Sequence, residues 1–473
     1  MPEAAQAGAG PVNPRQRGIG PAGGPLRNNE PGKPEALTHM MNQPNTPGRG
    51  PAGPPAPARL TQQQWLRERS YLNAHRHELA QLTQELYPAS WRVAGTPLLA
   101  RPQWLPAAPV PLAAVALSWQ PGRHGTVIDP VQPEGSEGVR PLRDNGARFA
   151  SYADALAALS RPRLLENRTC YRLLAAAAAT GAAGGQFTFG INRYFDLINV
   201  SEAVAHETAA RVLARRGGAG GGDGGGVAGR GAASGSPDGR AAPAAAAPLS
   251  LAELPLRSRI GDPLDLARRS VTTGIATLIL RLDRATGRAR MFLHWRDPAS
   301  VAVNGGLYQV APAGMFQPSH EASWNLANDL GLWEAIAREV SEELLGTSED
   351  YGSGAAPIDY PRWPFFAALA GAQRAGTLRG YWLGVGADPL TLDVDLLTVL
   401  VFDASFFDAE FGGLVAANDE GPLLSGPAAP GDGAGIEFSA PNVARFTSAE
   451  AMQPAGAALL RLAWQHRGVL LGR

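Results

Sequence analysis

Three glutamates and an arginine in residues 338–343 have the types and spacing that chemistry on a metal ion requires. The stretch reads Arg-Glu-Val-Ser-Glu-Glu. Because residues three and four apart share one face of a helix, Glu339, Glu342 and Glu343 would project together. Carboxylates this close repel one another unless a cation lies among them, and hard divalent ions prefer oxygen ligands. Arg338 can neutralise and orient one of the carboxylates through a forked contact.

This stretch resembles the Nudix box, whose pattern is G-x5-E-x7-R-E-U-x-E-E-x-G-U, with U an aliphatic residue. The half that matches begins at Arg338 and ends at Glu343. The box glycine after the paired glutamates is replaced by Leu345, and Gly346 follows one position later. The resemblance extends more loosely from Ile275 to the C-terminus, where PAGMFQPS and MQPAGAALL are similar to segments of uncharacterised actinobacterial Nudix-like proteins.

The loop that should precede the acidic helix departs from the pattern. Counting back from Arg338, the expected glycine and glutamate fall on Trp324 and Leu330. A better loop glycine is Gly314, ten positions before Trp324, which implies an insertion between loop and helix. A two-metal site requires that this loop return to within about 5 Å of Glu339, since paired catalytic ions lie about 4 Å apart. If the insertion places the loop farther from Glu339, we expect a protein that binds a ligand and does not hydrolyse it.

The resemblance implies an α/β fold for the C-terminal part, namely a Nudix-type α/β/α sandwich with a mixed sheet. It implies a hydrolase that cleaves a diphosphate in a small molecule, usually a nucleotide, with Mg²⁺ or Mn²⁺ as cofactor. The implied metal ligands are Glu339, Glu342 and Glu343. The implied catalytic residues are Glu343 and Arg338, and the backbone at Gly314 would supply a carbonyl ligand.

Two alternatives to hydrolysis stay open. The missing loop glutamate, the insertion and Leu345 favour a Nudix-like ligand-binding or regulatory protein that has lost hydrolysis. The second alternative is a structural or interaction protein in which the glutamates form a solvated face, because acidic residues are common on the exposed surfaces of helices. A further acidic residue from a later loop often assists the hydrolases, and Asp419 and Glu420 are the candidates here.

The composition limits the remaining function classes. The chain has 473 residues, a net charge of +0 and one cysteine, Cys170, which we expect to be buried. Neutral charge does not favour nucleic acid as a partner, and no stretch approaches the roughly 20 apolar residues of a membrane span. A single cysteine excludes internal disulfides and fits a reducing compartment. We therefore expect a cytoplasmic protein with a small-molecule ligand and no membrane contact, whose oligomeric state stays open.

Glycine and proline are concentrated in two parts of the chain. Residues 1–58 predict a disordered tail, because so few large apolar residues cannot offset the entropy of ordering. Residues 217–250 predict a flexible Gly/Ala-rich linker. Between them, residues 59–216 predict an α+β region, and residues 251–473 predict the Nudix-like domain.

Local patterns also predict individual elements. Leucines at helical spacing predict a helix over 61–87, ended by Pro88. The alanine-rich run 172–179 predicts another helix, because alanine is the best helix former. A closing helix is predicted over 455–471. Runs of β-branched and aromatic residues predict strands at 275–282, 289–295, 379–385 and 396–402.

Overall fold

The structure, a computed structural model, describes residues 57–122, 124–178, 184–219, 248–296, 306–412, 417–418, 421–424 and 435–473. Most of the predicted tail and most of the predicted linker lie outside these ranges, as do Asp419 and Glu420. The described residues belong to one compact unit, Pro55–Arg473. No described helix is both long and apolar enough to cross a membrane.

Helices and strands alternate along the described chain, as in a mixed α/β protein. The helices are α1 Pro57–Thr83, α2 Tyr152–Leu159, α3 Tyr194–Leu197, α4 Ala203–Ala219, α5 Pro255–Ile260, α6 Asn325–Asn328, α7 Leu332–Leu345, α8 Pro364–Ala375, α9 Ala404–Glu410, α10 Ala440–Ser448, α11 Pro454–Gln465 and α12 Arg467–Leu471. The strands are β1 Val110–Pro111, β2 Ala116–Trp119, β3 Thr169–Ala178, β4 Gly185–Arg193, β5 Thr273–Asp283, β6 Arg288–Met291, β7 Leu293–Trp295, β8 Tyr308–Val310, β9 Ala313–Met315, β10 Leu378–Ala387, β11 Val394–Asp403, β12 Ala417–Asn418, β13 Gly421–Leu424 and β14 Ile436–Glu437.

The largest sheet is mixed, as predicted. Its strands follow the order β1-β10-β11-β5-β6-β14, and β9 pairs with β5 beside this path. The pair β11–β5 is parallel and the other pairs are antiparallel. Both central strands are buried along almost their whole length, which is the pattern of strands covered on both faces. Helices α8, α9 and α11 contact this sheet.

Two smaller sheets complete the fold. One has the order β12-β13-β7-β8 and the other has the order β2-β4-β3. The region 59–216 joins the C-terminal region through β1, which extends the large sheet beside β10. The Tyr171 backbone N–H also donates to the Phe316 carbonyl at 3.0 Å. Both regions therefore share one hydrophobic core.

The alanine-rich run 172–179 is the clearest error of sequence interpretation. Its described residues lie in strand β3, which pairs with β4 from Thr169↔Arg193 to Ala178↔Gly185. The helix preference of alanine is worth only tenths of a kcal/mol per residue over most other residues. Pairing along a whole strand, with Tyr171 and Leu173 fully buried, outweighs that preference.

Two other predicted elements are interrupted. The predicted strand over 289–295 is divided at Phe292 into β6 and β7, which belong to different sheets. The predicted closing helix is divided at His466 into α11 and α12. The first break places β7 in a different sheet from β6, and there His294 of β7 lies 3.2 Å from Glu343 of the acidic helix. The prediction that Cys170 is buried is confirmed, and burial raises the pKa of its thiol to about 12.

Candidate functional site

Helix α7 carries the three predicted glutamates, of which Glu343 is buried and Glu339 and Glu342 are half-buried. Gly346, in the left-handed conformation, ends the helix, and its N–H returns to the Glu342 and Ser341 carbonyls. Glycine adopts this conformation at a helix end without steric cost. The apolar face of α7 is buried and consists of Leu332, Ile336, Val340 and Leu344.

Gly314 lies against Glu339, despite the insertion. It is the middle residue of β9 and pairs with Ile275 of β5. A Cβ built on Gly314 would fall within 3.0 Å of the Glu339 carboxylate, closer than van der Waals contact permits. Since a carbon–carbon bond is about 1.5 Å long, the Gly314 Cα lies within about 4.5 Å of that carboxylate. Only a glycine leaves room for the carboxylate at this point of the strand.

The inserted segment folds back on itself between β9 and α7. The Ser319 backbone N–H and hydroxyl both donate to Asp329 Oδ2, at 2.8 and 2.6 Å. Asp329 is fully buried and its other oxygen accepts from the Tyr360 hydroxyl at 2.9 Å. These bonds close the segment into a loop, so the extra residues do not separate Gly314 from Glu339.

Arg338 holds this loop, and Glu339 is among the charged groups that act on its guanidinium. It donates to the Tyr360 hydroxyl and, at 2.7 Å, to the Gln317 carbonyl. Its guanidinium is 3.8 Å from Asp329 Oδ1. Burial alone would lower the pKa of Arg338, but Tyr360 and Asp329 raise it overall. In this geometry the arginine positions the segment that connects β9 to α7.

Glu343 ties the helix to strand β9. Its Oε1 accepts the Ala313 backbone N–H at 2.7 Å, and its side chain is buried. Its Oε2 is 3.2 Å from His294 Nδ1, yet the two atoms are not aligned for a hydrogen bond. One oxygen of this carboxylate is therefore engaged, while the other is shielded from solvent without a hydrogen-bond partner among the described residues.

Glu342 has a different partner. Its Oε1 accepts from the Tyr351 hydroxyl at 2.6 Å. Burial raises the pKa of Glu342, and the Tyr351 hydrogen bond opposes that shift only in part. The three glutamates therefore have different neighbours. Glu339 lies against Gly314, and Glu342 binds Tyr351. Glu343 lies against Ala313 and His294.

Asp395 is a site residue that sequence reasoning missed. It lies on β11 beside Gly274 of β5, and a Cβ on Gly274 would fall within 3.0 Å of Asp395 Oδ1 and 3.5 Å from the Gly314 carbonyl oxygen. Its Oδ2 is shielded and has no hydrogen-bond partner within the described ranges. Burial raises the pKa of Asp395 to about 7, and Asp393 adds to the shift. The available signal was the Asp-Val-Asp entry to an otherwise apolar strand.

We use the name carboxylate site for Gly314, Glu339, Glu343 and Asp395. Its donors have the chemistry that a hard divalent ion prefers, and the unpartnered Asp395 oxygen fits such an ion. In the described residues no three His, Cys, Asp or Glu side chains already surround a common point closely enough to hold one. Binding would therefore require rotation of a side chain such as Glu339.

A second group of buried charges lies between α1, α2 and α4. Both oxygens of Glu202 accept from Arg76, at 3.0 and 2.8 Å, and one also accepts from Arg69. His206 Nε2 is 3.1 Å from Glu68 Oε2, and its Nδ1 is 3.0 Å from the Tyr152 hydroxyl. We call Glu68, Arg69, Arg76, Tyr152, Glu202 and His206 the arginine network.

A surface cavity is lined by residues that belong to neither group. Its volume is about 530 Å³, and its lining includes Arg143, Asp144, Phe149 and Asp154. None of its lining residues belongs to α7 or β9. The shape of this cavity therefore gives no support to chemistry at the glutamates, and the arguments below rest on the carboxylate site itself.

Comparison with known proteins adds no relative. No protein-family model matches the chain. No curated protein matches it significantly.

Proposed function

We propose that this chain is a divalent-metal-dependent hydrolase of the Nudix type that acts on a small molecule containing a diphosphate. The observation that carries the proposal is the contact of Glu339 with the backbone of Gly314. It brings the acidic helix against the backbone of β9, whose Gly314 carbonyl oxygen lies near Gly274, the residue beside the Asp395 carboxylate. A helix carboxylate packed against a strand backbone is more specific than an acidic helix face alone.

Each group of the site has a role in this proposal. Glu339, Asp395 and the Gly314 carbonyl would hold Mg²⁺ or Mn²⁺, which neutralises charge on phosphate oxygens and activates water. Glu343 fixes the distance between α7 and β9 through the Ala313 N–H. Arg296 donates to the Ala313 carbonyl at 3.3 Å and adds positive charge near Asp395, where an anionic substrate would approach.

A second function, ligand binding without hydrolysis, is favoured by Glu342. Its hydrogen bond to Tyr351 and its raised pKa keep this carboxylate from serving as a ready metal ligand. A site with fewer charged ligands would still bind a metal–diphosphate complex while activating water poorly. Both functions predict that the protein binds a metal–diphosphate complex, but only the hydrolase predicts that the diphosphate is cleaved.

The test measures Mg²⁺ and Mn²⁺ binding by calorimetry in the wild type and in Glu339→Gln. Glu339 is the best residue to change, because Glu343 also anchors β9. We expect the affinity to fall at least about tenfold, as a lost charged ligand should cost more than 1.4 kcal/mol. Glu334→Gln is the matched control, since it removes one charge from the first turn of the same helix. Equal metal binding in all three proteins would refute the proposal.

A screen for turnover then separates the two functions. The metal-loaded wild type is incubated with a panel of nucleoside diphosphate derivatives and dinucleoside polyphosphates, and products are resolved by chromatography. Cleavage that disappears in Glu339→Gln and persists in Glu334→Gln supports the hydrolase. Metal-dependent binding of a panel member without cleavage supports the binding protein.

A further inference from the structure

His294 is an unusual buried histidine. It lies in β7, its side chain is fully buried, and neither ring nitrogen has a hydrogen-bond partner among the residues that the structure describes. Buried polar side chains nearly always have a partner, so an unpaired one requires an explanation. An imidazole without a hydrogen bond on either nitrogen loses its water contacts without gaining a hydrogen bond in return.

A charged atom close to this ring belongs to the acidic helix. Glu343 Oε2 is 3.2 Å from His294 Nδ1, and it too has no hydrogen bond. A nitrogen and an oxygen therefore face each other at short range without the alignment that sharing a proton requires. Glu343 Oε1 is already engaged by Ala313, so the carboxylate cannot turn towards the ring without losing that bond.

Two ligand atoms of one metal ion have this separation. Bonds of about 2.1 Å that meet at 90° to 110° place the two ligand atoms about 3.0 to 3.4 Å apart. An ion bound by both groups would satisfy the two unpaired atoms at once. Glu339, one turn earlier on the same face of α7, is the adjacent carboxylate for a third ligand.

We propose that His294 Nδ1 is a nitrogen ligand in the carboxylate site and that it gives the site a preference for a first-row transition ion such as Mn²⁺ over Mg²⁺. This inference rests on the proposed function, because it assumes that the site binds a divalent ion. It goes beyond that function in two ways: it names a ligand from strand β7, outside the acidic helix, and it specifies the class of ion.

The preference follows from ligand chemistry. Mg²⁺ demands oxygen ligands in a regular octahedron and retains several of its waters. Imidazole suits first-row transition ions, whose affinities for nitrogen-containing sites increase along the series from Mn²⁺ to Cu²⁺. A site of carboxylates and carbonyls alone would discriminate less between Mn²⁺ and Mg²⁺. The ratio of the two affinities therefore reports whether a nitrogen is bound.

The experiment measures Mn²⁺ and Mg²⁺ dissociation constants for the full-length wild type, His294→Asn and His466→Asn. Asparagine places an amide near the position of Nδ1 and replaces the nitrogen ligand with an oxygen. We expect the preference for Mn²⁺ to fall at least about tenfold in His294→Asn, the range seen when groups around a metal are altered. His466→Asn changes a histidine at the junction of α11 and α12 and should keep the wild-type ratio.

Pulsed electron paramagnetic resonance of Mn²⁺ bound to the wild type gives a second measurement that does not depend on how a variant folds. We expect coupling to one imidazole ¹⁴N. Absence of this coupling, or an unchanged affinity ratio in folded His294→Asn, would overturn the assignment of His294 and leave the proposed function standing. A wild type that binds neither ion would overturn both.

Discussion

His206 and His294 are both fully buried, and each has a ring nitrogen 3.1 or 3.2 Å from a glutamate oxygen, but they differ in their hydrogen bonds. Both ring nitrogens of His206 are engaged, by Tyr152 and Glu68. Neither nitrogen of His294 is engaged within the described part of the chain. The carboxylates repeat this contrast, since both oxygens of Glu202 accept hydrogen bonds from arginines, whereas Asp395 Oδ2 accepts none.

The contrast separates charge that stabilises the fold from charge that is free to bind. A buried charge that is fully paired contributes to the stability of the folded state only together with its partners. Removing one partner therefore destabilises the protein strongly. A buried polar atom without a partner lowers stability, so its retention in a native structure suggests a ligand. We therefore interpret the arginine network as structural, and the unpaired atoms of the carboxylate site support the function proposed for it.

The largest expected effect is in the arginine network. Glu202→Gln leaves Arg69 and Arg76 buried without their counter-charge, so we expect the free energy of unfolding to fall by about 3 to 5 kcal/mol. Glu253→Gln is the control, because Glu253 pairs with two arginines at the surface and should change stability much less. Denaturant titration measures both, and equal losses would refute the assignment.

The effect of Glu202→Gln on stability should also depend on pH. Burial alone would raise the pKa of Glu202, but Arg76 and Arg69 outweigh burial and hold the pKa at about 2. A carboxyl whose pKa is lowered by folding stabilises the protein above its ordinary value of 4.5 and loses this contribution as the pH falls towards 2. The stability difference between wild type and Glu202→Gln should therefore shrink over this interval.

Asp395 should show the opposite dependence on pH. Burial and Asp393 raise its pKa to about 7, so its ionised form opposes folding as the pH rises from about 4 through 7. We expect Asp395→Asn to match the wild type near pH 4 and to be more stable by about 4 kcal/mol at pH 8, since a pKa raised by about 3 units is worth about 1.4 kcal/mol per unit. Saturating Mn²⁺ should remove this advantage, since an ion that binds only the folded wild type stabilises it. A less stable Asp395→Asn at pH 8 would place Asp395 with the structural charges.

Gly314→Ala is the next smaller change. The new Cβ would collide with the Glu339 carboxylate and displace it, so we expect metal affinity to fall about tenfold, or 1.4 kcal/mol. Gly371→Ala is the matched control, because a Cβ at this position of α8 meets its nearest atom at 3.9 Å. Calorimetry compares the metal affinities of the two variants. An unchanged affinity in Gly314→Ala would show that strand β9 does not contribute to the metal site.

The smallest effect is expected at Tyr351. Tyr351→Phe removes the hydroxyl that donates to Glu342 and leaves the carboxylate available to an ion. A hydrogen bond to a neutral donor contributes about 1 kcal/mol, so metal affinity should rise about fivefold. If affinity instead falls, the hydroxyl holds Glu342 in the orientation that binds the ion.

The sequence by itself determined the acidic helix and most of the central strands. The glutamate spacing in α7, and the β-branched and aromatic runs of β5, β10 and β11, are local patterns whose predicted helix and strands the structure confirms. Local patterns succeed here because helix and strand periodicities depend on neighbours within a few residues.

Only the tertiary structure decided which side chains meet. The alanine run became a strand because β4 was available to pair with it. His294, Glu343 and Asp395 come from separate elements, and their contacts depend on the break at Phe292 and on the register of β5 with β11. Burial and unpaired atoms arise from contacts between residues far apart in the chain, which no short stretch of sequence encodes.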